Sequence, residues 1–137
     1  MHQLTYISTA RAGLVDGDVD QILLSSRRNN RRDGISGLLV YDGVRFLQAL
    51  EGEKDLVEAA FLRIKADPRH RAAVMLSLRE TSVREFGTWD MACERVAMGK
   101  DGASVADTVD DLVAKLPDPN TKALFSSFAR LDRLRAA

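Results

Sequence analysis

The stretch ISGLLVYDGVRFLQALEG constrains the fold most. Ile35–Tyr41 and Val44–Leu50 are two apolar runs separated only by Asp42-Gly43. Asp-Gly between two such runs is a strong hairpin signal, because the tight turn needs positive φ angles that these residues tolerate. These two strands are thereby committed to an antiparallel pair. Gln48 lies in the second run among Phe46, Leu47, Ala49 and Leu50. Its amide brings both donors and an acceptor into the strand. Leaving them unpaired in a core costs about 1–3 kcal/mol. Gln48 therefore needs a partner from elsewhere in the fold.

The remaining chain supplies other elements. Leu4–Thr9 alternates, with Leu4, Tyr6 and Ser8 on one face and Thr5, Ile7 and Thr9 on the other. Asp16–Asn30 has helical spacing, with Val19, Ile22, Leu23, Ser26 and Asn30 sharing a face. That face turns polar at Ser26, Asn29 and Asn30, and Asp33-Gly34 breaks the pattern. Asp55–Ala66 is a second helix, carried by Leu56, Val57, Ala60, Phe61 and Ile64 and ended by Asp67-Pro68. Ala72–Leu78 reads as a fourth strand, and Phe86–Val96 contains a fifth with Trp89 and Met91. The order βαββαββ predicts an α+β, ferredoxin-like sandwich: a five-stranded mixed sheet with two helices on one face. Residues 97–103 read as a linker after a domain spanning 1–96. Two further helices follow within 104–137. The first is capped by Ser104 and striped by Val105, Val109, Leu112, Val113 and Leu116; the second starts at Pro119 and carries Leu124, Phe125, Phe128 and Leu131. This extension is expected to cover the other face of the sheet or to bind a partner.

Composition removes several function classes. With 137 residues, 45% of them hydrophobic, the chain suits one domain with a real core. Its 20 basic and 20 acidic residues cancel, so no global charge draws it to nucleic acid or an anionic membrane. Cys93 is the sole cysteine, and with His2 and His70 it makes neither a disulfide framework nor a metal set. No apolar run approaches the roughly 20 residues of a membrane span. The N-terminal MHQLTYIS has no basic segment ahead of a long apolar one, so a cytoplasmic location is expected. Arg27, Arg28, Arg31 and Arg32 read as a solvated helix end, where cations meet the C-terminal dipole.

In a ferredoxin-like sheet the first and third strands are central neighbours, under a groove between the two crossover helices. Tyr6 and Gln48 then face one groove, lined further by Asn29, Asn30 and Arg63. Groups that both donate and accept suit a flat heterocycle with carbonyls and ring nitrogens. The same two residues also fit a plain core in which phenol and amide satisfy each other. On the residues alone both readings stand.

The segments LTYIS, RRNNRRDGISGLLVYDGVRFLQALEG, LVEAAFLRIKADPRHR and FGTWDM together resemble the BLUF family of flavin-using blue-light sensors. The likeness covers roughly residues 1–96, and the long central block is its most specific part. It implies a non-enzymatic photoreceptor holding FAD without a covalent bond. Tyr6 would be the electron and proton donor beside the ring. Gln48 would sit between Tyr6 and flavin N5 and O4, and its hydrogen bonds would rearrange on illumination, by rotation or tautomerisation of the amide. Asn30 would hold the N3/O4 edge and Asn29 would reach toward O2. Arg63, Asp67 and His70 match positions around the O2 edge and the outer cofactor, Ser26 lies by the ring edge, and Ile22 and Leu39 wall the ring. Trp89 and Met91 would carry the signal outward on the fifth strand. Gly87 and Ala92 depart from the family's usual Phe-Pro-x-Trp-x-Met-Gly. No cyclase or phosphodiesterase sequence accompanies these segments. The expected form is therefore a short stand-alone sensor, a homodimer acting on a separate effector protein in trans, with no membrane or nucleic-acid partner.

Two rivals remain. An RRM-type nucleic-acid-binding domain shares the fold class but needs exposed aromatics on central strands, for which Tyr6 and Phe46 are the candidates. A small flavin oxidoreductase needs substrate access at flavin N5, where Gln48 would stand.

Overall fold

The computed structural model describes residues 1–41, 43–86, 92–95, 114 and 119–136, with the backbone alone for Asp16, 92–95 and 128–136. Along the chain run β1 (His2–Ala10), α1 (Asp16–Asp33), β2 (Ser36–Tyr41), β3 (Arg45–Gly52), α2 (Lys54–Ala66), β4 (His70–Glu80), β5 (Ala92–Arg95) and α3 (Pro119–Ala136). The strands form one sheet in the order β4-β1-β3-β2-β5. β1 pairs antiparallel with β3 and β4, β2 antiparallel with β3, and β2 parallel with β5. The expected α+β class holds. The linker, the first C-terminal helix, Trp89 and Met91 lie outside the described residues.

Local chemistry sets the element ends. The Asp18 carboxylate accepts from the Val15 backbone N–H at 3.0 Å, satisfying an orphan donor where α1 begins. At its far end α1 stops at Gly34, which takes φ +67 and returns its N–H to the Asn30 carbonyl. A residue with a Cβ resists that left-handed conformation, so glycine terminates the helix there.

The β2–β3 hairpin differs from expectation in its turn. A two-residue Asp42-Gly43 turn would set Tyr41 against Val44, whereas Tyr41 pairs with Phe46. Gly43 adopts φ +92, and Val44 leaves the ladder to accept a hydrogen bond from Ala10 N–H at 2.8 Å. The slip is two residues. Strand faces alternate with period two, so every side chain keeps its face. Gln48 stays on the intended side, now opposite Leu39 on β2 and Tyr6 on β1.

One face of the sheet is closed by α1 and α2. Leu4, Tyr6, Ile35, Leu39, Tyr41, Phe46 and Leu50 pack there against Val19, Ile22 and Leu23 of α1 and Val57, Ala60 and Phe61 of α2. The Tyr6 and Phe61 rings meet tilted, with centroids 5.3 Å apart. The opposite face holds Gln3, Thr5, Leu38, Val40, Leu47, Ala49 and Glu51, all buried. α3 reaches that face: Thr121 and Phe125, one helical turn apart, are buried, and Thr121 Oγ1 donates to Gln3 Oε1 at 3.0 Å. Among the described residues no helix is long and apolar enough to cross a membrane.

Candidate functional site

Tyr6 and Gln48 are directly opposed in the β1–β3 ladder and are 1% and 2% exposed. The phenol O–H donates to Gln48 Oε1. This bond fixes the amide, because with Oε1 accepting from Tyr6 the Nε2 end becomes the outward donor. Burial pushes the phenol well above its ordinary pKa, and the Asp67 carboxylate adds to the shift. Tyr6 therefore keeps its proton, and with it its role as donor to Gln48.

Above Gln48 a cavity opens between α1 and α2, enclosing about 510 Å³ when its open mouth is counted. Most of that is open solvent: the enclosed space is about 100 Å³, smaller than the about 300–1,000 Å³ usual for small-molecule sites. Eight of the residues singled out in the sequence line it: Ile22, Ser26, Asn29, Asn30, Gln48, Arg63, Asp67 and His70. Asn30 is buried, Asn29 and Ser26 are half-buried, and Arg63 is exposed. Tyr6 sits behind Gln48 rather than in the wall. Leu39 is buried in the core beside Gln48, its directly opposed partner in the β2–β3 ladder, and does not line this cavity. Trp89 and Met91 fall outside the described residues.

Five lining residues were not anticipated as site residues: Ser25, Leu50, Ala60, Ile64 and Arg69. Ala60 and Ile64 belong to the predicted apolar stripe of α2, whose edge meets the groove. Leu50 follows Gln48 by two positions, so strand alternation alone could have found it.

The mouth carries a second polar set. Arg69 holds Asp67 through Nη2–Oδ2 at 2.6 Å and Nε–Oδ1 at 3.0 Å, and its backbone N–H adds a bond of 2.9 Å. Burial opposes ionisation of Asp67, but the hydrogen bonds and charge of Arg69 outweigh it and hold the carboxyl below its ordinary value. Arg63 reaches Asp33 at 3.4 Å. His70 is buried, with Nδ1 2.8 Å from Ser8 Oγ and its ring tilted on Phe46 at 4.7 Å. Burial pulls its imidazole down to about 4, with Asp67 opposing and Arg69 reinforcing the shift. His70 is therefore neutral at physiological pH. Ser8 was missed in this role because its partner is 62 residues away.

The donor set fits a flat polar ring with an anionic tail. Amides and a hydroxyl (Gln48, Asn30, Asn29, Ser26) supply in-plane hydrogen bonding, Ile22, Leu50, Ala60 and Ile64 supply apolar walls, and Arg63 lies at the mouth. Tyr6 and Phe46 are 1% and 0% exposed, so neither is available to stack a base, which removes the basis of the RRM-type reading. No cluster of His, Cys, Asp or Glu suited to a metal occurs among the described residues.

Comparison with known proteins shows the family. Residues 1–92 match the family described as BLUF, sensors of blue-light using FAD. The photoactivated adenylate cyclase subunit beta of Euglena gracilis is 42% identical over 67 residues, covering 49% of this chain and 8% of that protein. The corresponding subunit of Euglena longa is 35% identical over 83 residues, covering 61% of this chain and 10% of that protein. The chain thus spans a tenth or less of the length of these curated relatives. Among solved structures, the dark-state structure of BlrB, a BLUF protein, is 32% identical with a TM-score of 0.73, covering 93% of this chain and 94% of that one.

Proposed function

The chain belongs to the BLUF family, sensors of blue light that use FAD, and on that premise we propose that its Tyr6–Gln48 pair is the photoactive switch. The observation that carries this reading is the buried phenol donating to an amide that also lines the cavity. FAD, when bound there, supplies a ring that absorbs blue light and becomes a strong oxidant. Tyr6 is the electron and proton donor, with its proton already aimed at Gln48 Oε1. Gln48 is the group whose hydrogen bonds rearrange, because an amide can be satisfied in two arrangements while a residue with one fixed polarity cannot. With FAD bound, Asn30, Asn29, Arg63 and Ser26 would hold the polar edges of its ring. Ile22, Leu50 and Ile64 hold its apolar faces. Asp67 and His70 face the outer cofactor, with His70 kept neutral and oriented by Ser8.

The finer architecture is part of the same reading. A ferredoxin-like five-stranded sandwich carries two C-terminal helices on the face opposite the flavin. Trp89 and Met91, just ahead of β5 in the sequence, pass the change outward. Output is non-covalent, to a second copy of the chain and to a separate effector in the cytoplasm. The effector activity named for the Euglena relatives is a cyclase, which supports a link between this kind of sensor and a downstream enzyme.

Tyr6→Phe tests the assignment. The variant is expected to purify with flavin and to show no light-induced shift of the flavin band. A wild-type shift in Tyr6→Phe would refute it.

A further inference from the structure

The two central strands carry a second polar pair, three residues along from the first. Gln3 and Glu51 are directly opposed in the β1–β3 ladder, as Tyr6 and Gln48 are. Three is an odd separation, so this pair lies on the opposite face of the sheet. Both residues are buried, at 1% and 0% exposure. Gln3 Nε2 donates to Glu85 Oε2 at 2.9 Å and to Glu51 Oε2 at 3.5 Å. Gln3 Oε1 accepts from Arg79 Nη2 and from Thr121 Oγ1, both at 3.0 Å.

This amide has one orientation. Ionised carboxylates only accept, and a guanidinium only donates. Turning the Gln3 amide over would set its oxygen against two carboxylates and its NH₂ against Arg79. Gln48 can exchange partners; Gln3 is locked. A locked amide bonded to β3, β4, the segment before Phe86 and α3 transmits displacement instead of absorbing it.

We propose that Gln3 is a positioning residue that couples the photoactive strands to the C-terminal helix, through its bond to Thr121. This rests on the blue-light reading of the Tyr6–Gln48 pair. A change at Gln48 that shifts β3 against β1 moves Glu51 against Gln3 in the same ladder, and Gln3 delivers that movement to the first turn of α3. Nothing but hydrogen bonds rearranges.

The test uses the full flavin-loaded chain and two conservative variants away from the cavity. Thr121→Val keeps the side-chain shape and removes the hydroxyl; Thr121→Ser restores it. Flavin absorption and hydrogen exchange of residues 119–136 are measured in darkness and under blue light. The wild type is expected to show a flavin shift and a light–dark difference in α3 exchange. Thr121→Val is expected to keep the shift and lose the α3 difference, and Thr121→Ser to recover it. An α3 difference that survives in Thr121→Val overturns the coupling role, as does its loss in both variants or its absence from the wild type alongside a normal flavin shift. A wild type with no flavin shift instead overturns the sensor reading on which the proposal rests.

Discussion

Replacing Glu51 by glutamine is expected to destabilise the protein by about 2 kcal/mol, although the change is nearly isosteric. The Glu51 carboxylate is fully buried and accepts from both sides. Oε1 takes Ser36 Oγ at 2.7 Å and the Phe86 backbone N–H at 2.8 Å. Oε2 takes the Glu85 backbone N–H at 2.8 Å and Gln3 Nε2 at 3.5 Å. Two donors thus converge on each oxygen. An amide has only one acceptor end, so whichever way it is placed, its NH₂ faces donors, one of them a backbone N–H. A stranded buried donor costs about 1–3 kcal/mol, and bonds to a charged acceptor are stronger than those to a neutral one. Ser36 softens the loss on its side by rotating its hydroxyl, which already accepts from Arg84 Nη1 at 2.8 Å. With a urea slope of about 1–3 kcal/mol/M, a loss of about 2 kcal/mol lowers the midpoint by roughly 1 M. Urea unfolding followed by circular dichroism measures it. An unchanged midpoint and slope in Glu51→Gln would show that these donors do not depend on the carboxylate, and the reasoning fails.

His70 gives a pH signature. Its pKa falls from the ordinary 6.5 to about 4 in the fold, so between those values the unfolded chain binds more protons than the folded one. Stability is then full above pH 6.5 and declines as pH falls toward 4, by about 3 kcal/mol for a shift of this size. His70→Gln should flatten that part of a stability-against-pH curve, and an identical slope in both proteins would contradict the burial argument. Ala72, at φ +50, is a residue with a Cβ in left-handed backbone, beside the register shift between β1 and β4. Ala72→Gly relieves about 1 kcal/mol of strain and should raise the melting temperature by a few degrees; a lower melting temperature would mean that lost unfolded-state restriction outweighs the strain.

Much of the cavity was legible because strand period and helix period are local properties. Alternation put Tyr6 and Gln48 on the helix-covered face, and the polar end of the α1 stripe put Ser26, Asn29 and Asn30 above them. Even the misjudged hairpin turn left this intact, since a two-residue slip preserves faces. Glu51 shows what was not legible. A glutamate closing an apolar strand reads as the start of solvent. It is buried by donors from Gln3, Ser36 and the segment Glu85–Phe86, distant in sequence and brought together only by the fold. Ser8 was hidden for the same reason.

Absorption spectra of the purified chain in darkness, under blue light and again in darkness address the central claim most directly. The account requires a bound-flavin band that moves slightly to the red on illumination and returns in the dark. A colourless protein, or a flavin band that light leaves in place, would contradict it.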